Sequence, residues 1–102
     1  MISLVEKSKP ALADLCRRFR VRRLYLFGSA AAARFDSKAS DLDFLVEFKP
    51  VASGAYADAF FGFKEALEEL FGRPIDLVVA SAIRNPYFRE GVERTKALLY
   101  AA

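Results

Sequence analysis

Histidine and tryptophan are absent from this 102-residue sequence, and cysteine occurs once, at Cys16. Without histidine there is no His-based triad, no imidazole general base and none of the usual zinc sites. Any metal bound here must be a hard cation held by oxygen. A lone cysteine cannot close an intrachain disulfide, which points to a reducing compartment. Cys16 itself reads as a small buried hydrophobe. No apolar run approaches the roughly 20 residues that span a bilayer, and residues 1–9 lack the apolar segment of a signal peptide. A cytoplasmic protein with no membrane partner is therefore expected. Repeats, low-complexity tracts and interdomain linkers are also missing, so one domain over residues 1–102 is expected.

What is present supports a packed fold. Hydrophobic residues make up 54% and charged residues 28% of the chain, enough to build a core at this length without staples. The net charge of +3 permits an acidic partner or a phosphate-bearing ligand without demanding one. Residues 11–20, behind Pro10, place Leu12, Leu15, Cys16 and Phe19 on one helical face. Residues 23–27 read as a strand ending at Gly28, residues 29–35 as a short alanine-rich helix, and 36–40 as a polar loop. Residues 42–48 form a strand stopped by Pro50. Residues 55–71 repeat apolar side chains at helical spacing and stop at Gly72. Residues 75–80 form a third strand, of the continuous apolar kind covered on both faces. Asn85 as N-cap and Pro86 at the first helical position open a last helix. The fold class is α/β (α+β), order αβαβαβα, with a small mixed sheet of at least three strands flanked by helices.

The stretch GSAAAARFDSKASDLDFLVEF, residues 28–48, carries the chemistry. On a strand, residues i and i+2 share a face, so Asp41 and Asp43 stand side by side, roughly 6–7 Å apart. Two carboxylates that close repel unless a cation lies between them. Asp76, near the start of the third strand, joins them if the second and third strands are parallel neighbours linked by a right-handed helical crossover. For Gly28 and Ser29 to reach the same edge, the first strand must run antiparallel to the second. Gly28 allows close approach to the backbone, and Ser29 opens a helix whose free amides favour an anion. A phosphate cradle facing three carboxylates suits phosphoryl or nucleotidyl transfer with Mg²⁺.

Gly28-Ser29, then Ser40-Asp41-Leu42-Asp43, then Asp76 in Ile-Asp-Leu-Val resembles the minimal nucleotidyltransferase (MNT) family of the DNA polymerase beta superfamily. The resemblance runs from Leu24 to the helix at Asn85-Pro86-Tyr87-Phe88. It implies a polymerase-beta-like nucleotidyltransferase fold, with Gly28 and Ser29 on the nucleotide phosphates and Asp41, Asp43 and Asp76 as ligands of Mg²⁺ (or Mn²⁺). It also implies Asp76 as base for the incoming hydroxyl, ATP as substrate, and Ser40 and Arg34 as further nucleotide-binding residues. Family members commonly carry an arginine just after Gly-Ser. Here residues 30–33 are all alanine and the first basic residue is Arg34, for which a solvated position at a helix end is the competing reading.

Larger relatives add a domain that holds the acceptor, and this chain has no room for one. Many MNT proteins are antitoxins paired with a HEPN ribonuclease toxin, which implies AMP transfer to a tyrosine of such a partner. A binding-only antitoxin that neutralises its toxin by complex formation is the alternative, favoured by the alanines at 30–33. Nucleic acid is permitted as a partner but not required. The run Arg17-Arg18-Phe19-Arg20-Val21-Arg22-Arg23 either finishes a helix, where the dipole favours cations, or forms a surface for RNA, DNA or an acidic partner. Tyr56, Phe60, Phe61 and Phe63 should mostly fill the core, with one or two left for a subunit interface in a homo-oligomer.

Overall fold

The computed structural model describes residues 3–28, 42–52 and 54–102. Helices α1 (Ser3–Lys7) and α2 (Lys9–Arg18) lead into strand β1 (Val21–Phe27). Strand β2 (Leu42–Phe48), helix α3 (Ala55–Phe71) and strand β3 (Ile75–Val79) follow, then a 3₁₀ turn (Ala80–Ala82), helix α4 (Pro86–Thr95) and strand β4 (Ala97–Ala101). The four strands lie in the order β3-β2-β1-β4. β1 is antiparallel to both β2 and β4, and β2 is parallel to β3. This is the mixed sheet expected from the sequence.

The period-2 pattern of β2 divides its side chains between two layers. Leu42, Phe44 and Val46 point into the larger core, with Leu12 and Cys16 of α2 and Phe63, Leu67 and Phe71 of α3. The α3 contacts recur every fourth residue, so one face of the helix is buried. The helix ends at Gly72, whose φ of 64° is left-handed and whose N–H donates to the Glu68 carbonyl at 2.8 Å. Asp43 and Leu45 point to the other side. There Leu45 joins Phe27, Ile83 and Val92 in a smaller cluster beneath α4. The Asn85 side chain caps α4 by accepting from the N–H groups of Tyr87 and Phe88.

Some elements differ from expectation. α1 carries the fully buried Val5, and β4, where the sequence reading placed no element, supplies the fourth strand of a sheet expected to have at least three. β3 stops at Val79 and occupies a sheet edge. Ile75 and Leu77 are buried there while Asp76 is exposed. Of the arginine run, only Arg17 and Arg18 lie in the last turn of α2, whereas Arg22 and Arg23 stand exposed on β1. Phe63 is buried and Phe60 packs on the core, but Tyr56 and Phe61 are exposed. The helix expected at 29–35 and the loop at 36–40 lie outside the described residues. Among the described residues, no helix is long and apolar enough to cross a membrane.

Candidate active site

Three residues meet where β1 ends and β2 and β3 begin. Phe27, the last residue of β1, is the antiparallel register partner of Asp43, and Asp43 is the parallel register partner of Asp76. In-register residues on neighbouring strands share a face, so both carboxylates rise on the α4 side of the sheet. Asp43 is half-buried and Asp76 exposed. Gly28 follows Phe27 with a left-handed φ of 74°. A Cβ at this position would lie 2.5 Å from Oδ2 of Asp43. Glycine is thus required twice over, by its dihedral angle and by the carboxylate against its backbone.

A residue that the sequence did not single out supports this turn. The Gly28 N–H donates to Oγ1 of Thr95 at 3.3 Å, and the Thr95 hydroxyl donates to the Gly91 carbonyl at 3.0 Å. The last turn of α4 is thereby tied to the end of β1. Nearby, Phe88 of α4 meets Phe27 edge-on, with ring centroids 6.0 Å apart. The two contacts hold α4 over the strand end.

The donor atoms at this edge are carboxylate oxygens, which suit a hard divalent cation. Two like charges on neighbouring strands also gain from a cation between them. Among the described residues no group of three potential metal ligands gathers. Asp41, the third expected carboxylate, lies outside them, as do Ser29, Arg34 and Ser40. Of the seven residues expected at the site, the structure brings together Gly28, Asp43 and Asp76.

The model of the nucleotidyltransferase domain family matches residues 9–99, and the chain is a member of that family. Among individual proteins, it is 33% identical over 90 residues to Putative protein adenylyltransferase MJ0128 of Methanocaldococcus jannaschii, covering 88% of this chain and 85% of that one. A solved structure of a putative minimal nucleotidyltransferase aligns with a TM-score of 0.74 at 33% identity, over 90% of this chain and 89% of the other. A chain in the complex of tri-AMPylated Shewanella oneidensis HEPN toxin with MNT antitoxin aligns with a TM-score of 0.66. That alignment covers 96% of this chain and 73% of the other at 17% identity, a likeness of fold.

Proposed function

We propose that this chain is an antitoxin nucleotidyltransferase that moves a nucleoside monophosphate, AMP from ATP, onto a tyrosine hydroxyl of a HEPN ribonuclease toxin. The observation that carries the reading is the register match of Asp43 with Asp76, with Gly28 closed against the Asp43 carboxylate. The adenylyltransferase relative and the AMPylated toxin bound to a chain of the same fold support the choice of AMP and of a protein acceptor.

In this reading Asp41, Asp43 and Asp76 hold Mg²⁺ or Mn²⁺. The ion, when bound, neutralises developing charge on the phosphates. Gly28 gives the triphosphate room beside the backbone, and Ser29, Ser40 and Arg34 position its oxygens. The acceptor oxygen attacks the α-phosphorus, the bond to the bridging oxygen breaks, and pyrophosphate leaves with the electron pair. The hydroxyl proton passes to the Asp76 carboxylate. A phenol suits this step because it gives up its proton more readily than an aliphatic hydroxyl. The added phosphate charge repels RNA from the toxin's site.

Incubation of a HEPN partner with each labelled NTP, Mg²⁺ and this chain tests the reading. Label from ATP should appear on the partner, and Asp43→Asn should abolish it while the variant stays folded. Transfer at the wild-type rate by Asp43→Asn would overturn the site assignment.

A further inference from the structure

The opposite end of the sheet carries cations that the transfer reaction does not use. It lies about 20 Å along β2 from Asp43. Arg20 adopts a left-handed φ of 60°, and its carbonyl accepts the Lys49 N–H at 2.8 Å, which ties together the chain entering β1 and the chain leaving β2. Arg22 and Arg23 follow, exposed, on β1. Arg23 pairs with Glu47 at 3.2 Å. Among the described residues, no ion pair engages Arg20, Arg22 or Lys49. The dipole of α2 does not account for them, since they lie beyond its last turn.

Two adjoining cavities open onto these side chains. One, of about 590 Å³, is lined by Arg20, Arg22, Arg23, Lys49 and Pro50, with Ala102 closing a wall. The other, of about 530 Å³, shares Arg22, Lys49 and Pro50 and adds Phe48 and Tyr56. Tyr56 is 43% exposed and stands edge-on to Phe48, with centroids 5.5 Å apart. Glu47, the partner of Arg23, also lines this cavity, and an aromatic ring is thus presented to solvent beside Arg22 and Lys49, which no ion pair engages among the described residues.

The geometry points to a groove for single-stranded nucleic acid, with phosphates along Arg20, Arg22 and Lys49 and a base stacked on Tyr56. Cations that track a backbone, together with an exposed ring, make up the usual binding platform for single strands. A paired strand would keep its bases away from the ring. An acidic protein would use the cations but gain little from Tyr56. This groove does not rest on the transfer reading, because its residues lie at the other end of the sheet.

The test is fluorescence anisotropy with labelled single-stranded RNA and DNA of about a dozen nucleotides. It is run in EDTA without nucleotide, so that the carboxylate edge plays no part, and over a range of salt. Binding should weaken as salt rises. The double variant Arg22→Ala/Lys49→Ala should reduce the slope of log affinity against log salt by about 1.4, two single-strand phosphate contacts. Tyr56→Ala should weaken binding about fivefold or more, and Tyr56→Phe should restore it. All these positions are exposed or half-buried, and unchanged circular dichroism will confirm that the variants fold. Retention of these effects with RNA, DNA or both supports the groove. Absence of binding, or wild-type affinity and slope in the double variant, would overturn it. So would binding that ignores Tyr56 and is displaced by polyglutamate, which would instead mark a surface for an acidic protein.

Discussion

At the residue scale, Gly28 is the position where the least substitution should do the most harm. Alanine there must hold a left-handed dihedral, which costs about 1–2 kcal/mol, and its Cβ meets the Asp43 carboxylate at 2.5 Å. Gly28→Ala should therefore lower both the stability in urea and the rate of nucleotidyl transfer. An active, fully stable variant would show that the turn tolerates a side chain. Thr95 is the second test. Thr95→Val keeps the shape but leaves the Gly28 N–H without its acceptor, a loss of about 1 kcal/mol, while Thr95→Ser keeps the hydroxyl. Transfer should fall in the valine variant and recover in the serine variant. Equal rates in both would mean that Thr95 does not position the turn. The pairing of Asp43 with Asp76 was legible in the sequence because a helical crossover makes their strands parallel neighbours. Thr95 was not, since it meets Gly28 across a sequence separation of 67, and no local pattern encodes that contact.

At the scale of elements, the best-read pieces were those with a clear stop. The range 55–71 was closed by Gly72, and 42–48 by Pro50. α1 is only five residues long, and β4 has the sequence Ala-Leu-Leu-Tyr-Ala, which suits a helix as well as a strand. β4 is a strand because β1 offers it an unpaired edge, a tertiary fact. The α2–α3 contact yields a prediction against simple propensity. Gly62→Ala should help α3 as an isolated helix by about 1 kcal/mol. Its Cβ, however, would lie 2.7 Å from Cε1 of Phe19, whose ring packs 5.8 Å from that of Phe63. The variant should therefore melt lower than the parent. A higher melting temperature would show that Phe19 moves aside freely.

At the scale of the whole molecule, the antiparallel start of the sheet was deduced from chemistry: Gly28 can reach the aspartates only if β1 runs against β2, and it does. Stability also carries a signature of the buried core. Burial pushes the Cys16 thiol up to about 12, although the nearby Arg17 charge opposes the shift. The folded state then holds its proton more tightly than the unfolded one. The stability contributed by the neutral thiol is complete below its unfolded value of 9.0 and is lost as pH rises towards about 12. Urea titrations should show stability declining above that lower value, with a shallower decline in Cys16→Ala. Identical alkaline slopes would remove Cys16 as the cause.

In the proposed reaction the edge formed by Gly28, Asp43 and Asp76 modifies a partner covalently. The most direct measurement is the intact mass of a HEPN toxin co-expressed with this chain, separated from it under denaturing conditions, and assayed for ribonuclease activity after refolding. Covalent transfer should leave a toxin heavier by one or more AMP groups and still inactive, and an unmodified toxin when Asp43→Asn replaces the wild type. An unmodified, active toxin recovered from the wild-type pair would contradict it and leave an antitoxin that works by binding alone.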